Sequence, residues 1–180
     1  MEFLFVLGIY YFITVTYSFY LKKLVLLDVL LLASLYTICI VAGTVALELP
    51  HSPWLLAFSM FIFVSLAFAK RYSELYVLSK SDKGATKGRG YVASDLDQLA
   101  ILGTSSGYIS VLVFALYINS SEVANLYKLP QLLWLICPFL LYRISRFWLL
   151  AHRGEMQEDP IIFTIKDKAS YFVGLCVLVI

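Results

Sequence analysis

The sequence predicts an all-α fold, a polytopic bundle of transmembrane helices. Hydrophobic residues make up 61% of the chain and charged residues 14%, and the mean hydropathy is +0.84. Soluble domains are usually about 45–50% apolar and about 25% charged. Apolar runs such as "LVLLDVLLLASLYTICIVAG" are long enough to span a bilayer and lack the alternation of a barrel strand. Because backbone amides inside a bilayer must pair within their own segment, these runs favour helices.

A helical span requires about 20 mostly apolar residues, and apolar runs of this kind recur along the chain. The chain is therefore expected to form one transmembrane domain, 1–180, with six spans at about 3–20, 25–47, 53–69, 98–118, 130–150 and 169–180. The loops on one side of the membrane are 21–24, 70–97 and 151–168.

The first and the last predicted spans differ in what the sequence predicts for them. The opening "MEFLFVLGIYYF" lacks the basic start and the cleavage site of a signal peptide, so the first span is expected to be retained. The last segment has only the twelve residues after Lys168. These would give about 18 Å of helix against about 30 Å of hydrocarbon, so this span ends inside the bilayer or is shortened there.

The basic residues predict the orientation of the bundle. If the six spans alternate in direction, all but Lys128 of the 14 Lys and Arg residues fall on one side. Basic flanking loops remain in the cytoplasm during insertion. We therefore expect a multi-pass protein of the bacterial inner membrane, with three charged loops in the cytoplasm and both termini outward.

Several classes of function find no support in the sequence. Cys39, Cys137 and Cys176 lie in apolar spans without a C-x-x-C pattern, which is typical of cysteines that pack as small hydrophobes. His51 and His152 are isolated on opposite sides, so they cannot form a metal site together. No Ser-His-Asp or Cys-His set and no nucleic-acid motif is present, which disfavours hydrolytic nucleophiles and nucleic-acid partners.

The end of the third span, "LAFAKRYSEL", contains the first candidate site residues. If the helix continues beyond the span, Lys70, Arg71 and Glu74 share a face through i,i+3 and i,i+4 spacing. Snorkelling cations with a surface ion pair would give the same pattern. Asp28, four residues into the run 25–47, is a further candidate, because an ionisable group at that depth needs a partner or a polar cavity.

A second set of charges follows the fifth span. Arg143 and Arg146 lie in "LLYRISRFWLLAHRGE", and guanidinium groups suit bidentate phosphate binding. Carboxylates beside cations suit a Mg²⁺-diphosphate, in which the phosphates supply some of the metal ligands. The acidic residues of this loop are Glu155, Glu158, Asp159 and Asp167. We expect the three charged loops to converge on an anionic substrate.

Two further features have alternative interpretations. The stretch "KGATKGRGY" does not match a phosphate-binding loop, and we interpret it as a flexible lid whose Lys87 and Arg89 attract anions. Aromatic residues could line a polyprenyl groove or face lipid and the membrane interface. They are Phe12, Tyr17, Tyr20, Phe147 and Trp148.

Three stretches carry a family resemblance: "YSFYLKKLVLLDVLLLASLYTICIVAG" (17–43), "KRYSEL" (70–75) and "HRGEMQEDPIIFTIKDK" (152–168). They resemble the later part of the UbiA superfamily of intramembrane prenyltransferases, most of all the branch resembling decaprenyl-phosphate phosphoribosyltransferase. The resemblance implies that the six spans match the last six of nine family helices. The family's N-D-x-x-D motif is absent, so the N-terminal third is not represented. Cys39 stands where the branch favours Arg.

The resemblance also implies an activity. A phosphoribosyl group would pass from phosphoribosyl diphosphate to a polyprenyl phosphate, with Mg²⁺ as cofactor, in the synthesis of a lipid-linked sugar for the cell envelope. Glu74 would bind the metal or orient Arg71. The residues implied for phosphate binding are Lys22, Lys70, Arg71, Arg146 and Arg153.

Other functions remain open at this point. A transferase that moves a prenyl group from its diphosphate to an aromatic acceptor, as for quinones or haem, would be expected to carry two aspartates in place of "KRYSEL". The chain could instead be a truncated, non-catalytic remnant, or half of a heteromer whose partner supplies the first three helices. A transporter or channel subunit predicts polar residues at mid-span, whereas the charges here cluster at one side.

Overall fold

The computed structural model describes residues 2–48, 52–80, 90–120, 123 and 130–155. Five α-helices follow one another in this part of the chain: α1 Glu2–Phe19, α2 Leu27–Ala46, α3 Pro53–Lys80, α4 Leu96–Ile118 and α5 Ile136–His152. Short 3-10 turns lie at Leu21–Lys23, Ala93–Asp95 and Pro130–Leu135. The described residues contain no β-strand, which confirms the predicted all-α class.

Within the described residues, four helical segments are long and apolar enough to cross a membrane: Leu27–Ala46, Pro53–Lys80, Ala93–Ile118 and Gln131–His152. They correspond to the second to fifth predicted spans. The first predicted span contains a shorter apolar helix, Phe3–Phe19. The sixth, 169–180, lies outside the described residues.

The third helix continues past residue 69, where the predicted span ends, and reaches Lys80. The segment "KRYSEL" therefore lies on the helix, so Lys70, Arg71 and Glu74 have the helical spacing that the sequence analysis required. Residues 81–89 of the connection between α3 and α4 lie outside the described part, and Gly90 begins the described approach to α4.

Helix α3 lies at the centre of the bundle. It packs most extensively against α4 and α2, while α1 packs against α2, and α5 packs against α4 and also contacts α3. The buried core between these helices includes Val64, Phe68, Val111, Ile144 and Trp148. Large apolar side chains are also exposed along the outer surfaces of all five helices, which is the pattern expected where lipid replaces water.

Two glycines one helical turn apart permit the close approach of α4 to its neighbours. A Cβ atom at Gly103 would overlap the indole ring of Trp148, and one at Gly107 would lie 2.7 Å from Ile144 Cγ2. Small residues at this spacing are a common means of close helix packing in membranes. The "GTSSG" segment thus brings α5 against α4, with the indole Nε1 of Trp148 donating to Ser65 Oγ of α3 at 3.1 Å.

Candidate functional site at the basic end of the bundle

One end of the bundle collects the ends of all five helices. The Tyr17 hydroxyl of α1 contacts Arg71 of α3, and the hydroxyl of Tyr91, before α4, contacts the backbone just before α2. At the C-terminus of α5, His152 Nδ1 lies 3.2 Å from the Tyr72 hydroxyl of α3. We call this the basic end, because the described cations at or near it are Lys22, Lys23, Lys70, Arg71, Lys80, Arg143, Arg146 and Arg153.

The glycine after α5 keeps the chain close to α3. Gly154 has a φ of +73°, a left-handed conformation that glycine adopts readily. A side chain there would also overlap the ring of Tyr76. The turn therefore holds neighbouring Arg153, which is exposed, beside the C-terminal half of α3.

A buried polar cluster centred on Arg71 lies at the basic end. The Arg71 side chain is 3% exposed and donates from all three of its nitrogen atoms. Its Nε bonds Asp28 Oδ2 at 2.5 Å, its Nη1 bonds Glu74 Oε2 at 2.8 Å, and its Nη2 bonds the Tyr17 hydroxyl at 3.0 Å. One guanidinium thus joins α1, α2 and α3.

Asp28 is the most buried ionisable group of this cluster, at 0% exposure. Both of its oxygens accept hydrogen bonds, Oδ2 from Arg71 and Oδ1 from the Tyr91 hydroxyl at 2.6 Å. A buried charge is tolerated only when it is paired and its remaining lone pairs are satisfied. The contacts of Asp28 provide the partner that its position in an apolar run required.

Tyr91 connects this cluster to the segment before α4. Its hydroxyl donates to Asp28 and accepts the backbone N–H of Leu26 at 2.9 Å, while the side chain is 2% exposed. Burial, and next the hydrogen bond to the Asp28 carboxylate, raise the pKa of Tyr91 above its ordinary value. The hydroxyl therefore stays protonated at neutral pH and remains a donor to Asp28.

The structure places the predicted phosphate-binding residues in different surroundings. Arg71 is buried in the polar cluster, Lys70 precedes it on α3 and is half-buried, and Lys22 is half-buried in the turn between α1 and α2. Arg146 is half-buried on α5, and Arg153 is exposed after its last residue. These residues share one end of the bundle, and Arg71 forms ion pairs there with Asp28 and Glu74.

Some predicted site residues lie outside the described part of the chain. These are Lys87 and Arg89 of the predicted lid and the acidic residues Glu158, Asp159 and Asp167. Of the acidic residues of the last loop, Glu155 is described, and it is exposed.

Asp28 and Glu74 are the two carboxylates of the polar cluster. Among the described residues, no three His, Cys, Asp or Glu side chains are grouped so that they could hold a metal ion. Both oxygens of Asp28 already accept hydrogen bonds. Glu74 is 32% exposed, and its Oε2 accepts a hydrogen bond from Arg71 Nη1 at 2.8 Å.

The aromatic residues that could line a polyprenyl groove or face lipid lie in different environments. Phe147 and Trp148 are buried in the packing between helices, where their rings meet edge to face. Phe12 and Tyr20 are 70% and 75% exposed. Tyr17 is a member of the polar cluster through its hydroxyl.

Tyr91 is the cluster member that the sequence analysis missed. It lies 63 residues from Asp28 along the chain, and no periodicity relates the two positions. The sequence offered only an indirect signal. Asp28 needed a buried partner, and a tyrosine hydroxyl in a nearby connection is a suitable hydrogen-bond donor.

Comparison with known proteins gives three similar sequences. The chain is 37% identical over 174 residues to the uncharacterized protein y4nM of Sinorhizobium fredii, covering 96% of this chain and 34% of that protein. It is 36% identical over 155 residues to the nodulation protein NoeC of Azorhizobium caulinodans, covering 84% of this chain and 48% of that protein. No protein-family model matches the chain.

The third relative has a named enzymatic activity. The chain is 29% identical over 120 residues to the decaprenyl-phosphate phosphoribosyltransferase of Mycolicibacterium smegmatis, covering 67% of this chain and 37% of that enzyme. The chain therefore spans about a third to a half of the length of these relatives. Four apolar helices and this distant similarity together indicate an integral membrane protein related to a transferase.

Proposed function

We propose that the chain is part of a UbiA-type membrane enzyme that transfers a phosphoribosyl group from phosphoribosyl diphosphate to a polyprenyl phosphate. The observation that carries the proposal is the gathering of cationic residues at one end of an apolar bundle, around the cluster of Arg71 and Asp28. The distant similarity to a decaprenyl-phosphate phosphoribosyltransferase supports the same reaction class.

The proposed reaction exchanges one carbon–oxygen bond for another. A phosphate oxygen of the polyprenyl phosphate attacks the anomeric carbon of the ribose, and the bond from that carbon to diphosphate breaks. The bonding electron pair leaves with the diphosphate, which gains negative charge. The protein contributes by orienting the two anionic reactants and by neutralising the charge that develops on the leaving group.

The division of roles among the cations follows from their exposure. We propose that the phosphates contact the less buried cations at the basic end, which are Lys22, Lys70, Arg146 and Arg153. We assign Arg71 a positioning role, in preference to the phosphate contact predicted from the sequence, because three protein acceptors already hold its guanidinium.

Mg²⁺ remains a proposal, with Glu74 as one carboxylate ligand. The ion would supply charge neutralisation at the diphosphate, and its other oxygen ligands would have to come from the phosphates, from water or from residues outside the described part. The roles of Lys87 and Arg89 in attracting anions are likewise proposed.

The arrangement of the whole protein is proposed on the same basis. The bundle would lie in a bacterial inner membrane with its basic end facing the cytoplasm, which would supply the water-soluble phosphoribosyl diphosphate. The polyprenyl chain would lie among the helices. The activity is proposed for the complete assembly, since the chain covers 34–48% of its relatives. The remaining helices, including those that carry N-D-x-x-D in the family, would come from further sequence or a partner chain.

A chimaeric enzyme tests the proposal. The matched segment of the Mycolicibacterium smegmatis enzyme would be replaced by the corresponding residues of this chain, and membranes would receive labelled phosphoribosyl diphosphate and decaprenyl phosphate. We expect labelled lipid from the chimaera and at least about tenfold less from its Lys70→Gln variant, because a charge-assisted phosphate contact is lost.

The control for this experiment is Lys128→Gln, at the cation that the sequence assigns to the opposite side of the membrane. Gel filtration in detergent would establish that each chimaera is folded. A folded chimaera that forms no labelled lipid would contradict the proposal. A folded chimaera that instead prenylates an aromatic acceptor would favour the quinone or haem type of transferase.

A further inference from the structure

We propose that Gly90 and Tyr91 form a clamp between the α1–α2 connection and the α3–α4 connection, and that this clamp positions Lys22 for anion binding at the basic end. We call the contact of these two residues with residues 23–28 the connector clamp. The inference rests on the proposed function, because the anion in question is the phosphate or diphosphate of the substrates.

Gly90 provides the first contact of the clamp. It has a φ of +72°, and a Cβ atom there would lie 3.1 Å from Val25 Cγ2 and 3.3 Å from the Lys23 carbonyl oxygen. The backbone of the α3–α4 connection therefore passes directly against the α1–α2 connection. A residue with a side chain would be strained by the positive φ, and Val25 and the Lys23 carbonyl would have to shift by a few tenths of an ångström.

Tyr91 provides the second contact, through a hydroxyl that makes two hydrogen bonds. It accepts the N–H of Leu26 at 2.9 Å and donates to Asp28 Oδ1 at 2.6 Å. Leu26 has a φ of +68°, a value that is uncommon for a residue with a side chain. The Tyr91 hydroxyl thus holds an unusual backbone bend at the start of α2.

This bend determines where the neighbouring cation lies. Lys22 lies in the 3-10 turn Leu21–Lys23, immediately before the clamped residues. Asp28, on the other side of the bend, is fixed to Arg71 of α3, the neighbour of Lys70. The clamp therefore sets the position of Lys22 relative to Lys70 by way of Leu26 and Asp28.

Tyr91 is accordingly a positioning residue. Its hydroxyl is buried and engaged with protein groups at both its donor and its acceptor side. Its effect on a bound phosphate would pass through Lys22 and the ordered start of α2.

Binding of inorganic pyrophosphate tests the clamp directly. The 180-residue chain in lipid nanodiscs would be titrated with pyrophosphate, and the variant Tyr91→Phe would be compared with Tyr108→Phe. Both variants delete one tyrosine hydroxyl, and the exposed Tyr108 of α4 forms its hydrogen bond with Ser145 of α5. We expect Tyr91→Phe to weaken binding about fivefold to tenfold, the effect of one net hydrogen bond, and Tyr108→Phe to change it less than about twofold.

A double-mutant cycle distinguishes positioning from a general loss of structure. Lys22→Gln should weaken pyrophosphate binding clearly in the parent chain and much less in the Tyr91→Phe background, because Lys22 is no longer held in place there. Hydrogen exchange of the Leu26 amide should be faster in Tyr91→Phe than in the parent. Gly90→Ala should reproduce both effects if Tyr91→Phe cannot be purified, with Gly43→Ala, where a Cβ meets open space, as its control.

The possible results separate the clamp from the proposed function. Unchanged pyrophosphate affinity in Tyr91→Phe, or additive effects of the two substitutions, would overturn the clamp and leave the proposed function in place. A parent chain that binds no pyrophosphate, while the chimaeric enzyme also forms no labelled lipid, would overturn the proposed function itself and the clamp with it.

Discussion

Arg71 of α3 and Asp28 of α2 form an ion pair in which the two side chains are 3% and 0% exposed. Both charges are almost fully removed from solvent, so they depend on protein partners. Arg71 also donates to Glu74 and to the Tyr17 hydroxyl. Asp28 also accepts from the Tyr91 hydroxyl. The pair joins α2 to α3 within a bundle whose core is mostly apolar.

The first prediction concerns this pair. Asp28→Ala would remove the buried carboxylate partner of Arg71 and leave the part-exposed Glu74 as its remaining described acidic partner. We expect a loss of about 3–5 kcal/mol in the free energy of unfolding. The measurement is unfolding of the purified protein in mixed detergent micelles. The matched control is Asp97→Ala, which removes an exposed carboxylate from the first turn of α4 and should change stability by less than about 1 kcal/mol.

A double substitution separates the cost of an unpaired charge from the value of the pair. Asp28→Leu combined with Arg71→Met removes both charges, and apolar replacements of a buried pair are often close to neutral in stability. We expect the double variant to be more stable than Asp28→Ala. Equal destabilisation of both variants would show that the charges themselves are required for folding.

The second prediction concerns the contact between α4 and α5. Gly103→Ala would place a methyl group inside the indole of Trp148 and 2.9 Å from Phe68 Cβ, and overpacking of this kind typically costs about 1–3 kcal/mol. Thermal unfolding in detergent would measure the loss. Gly43→Ala is the control, since a methyl group there meets nothing within 4 Å and improves helix propensity.

A compensating change makes this prediction specific. Trp148→Phe replaces the indole with a smaller ring and so reduces the overlap with the new methyl group. Gly103→Ala should therefore lower the stability less in that background than in the parent chain. If Gly103→Ala is harmless by itself, α4 and α5 are not in close contact and the packing described above is wrong.

The sequence predicted the local part of the polar cluster, because local spacing on a helix is regular. Arg71 and Glu74 are three residues apart, and the structure joins them across one turn of α3. Asp28 was recognised as needing a partner because its charge lies in an apolar run. Which residue became that partner was not predicted.

The missed contacts depend on how distant segments meet. The bond from Tyr91 to Leu26 joins positions 65 residues apart, and Arg71 reaches Tyr17 across 54 residues. No single-sequence pattern specifies such pairs, because they depend on the path of the connections between helices. The spacing of Gly103 and Gly107 is a local signal of close helix packing, but the sequence analysis did not use it.

The third prediction concerns the cations at the basic end. Arg153→Gln should weaken pyrophosphate binding, and raising the ionic strength should reduce the difference from the parent, because exposed charges are screened over about 8–10 Å. Arg153 is exposed, so the substitution should leave thermal stability nearly unchanged. Titrations at low and high salt, with Lys128→Gln as the control, provide the measurement, and a salt-independent effect would contradict an electrostatic role.

The fourth prediction concerns sidedness, and it tests whether a soluble, phosphorylated donor can reach the basic end from the cytoplasm. The background variant has Cys39, Cys137 and Cys176 replaced by serine. Two single-cysteine variants are then made from it. Lys23→Cys lies at an exposed position of the basic end, and Leu47→Cys lies at the exposed far end of α2. A membrane-impermeant maleimide applied to intact bacterial spheroplasts should label residue 47 and should label residue 23 only after lysis, because basic flanking segments stay in the cytoplasm. A permeant maleimide should label both cysteines and so control for their reactivity. The reverse pattern would place the basic end outside the cell, where it could not meet a cytosolic phosphoribosyl donor, and the proposed reaction would then be excluded for this chain.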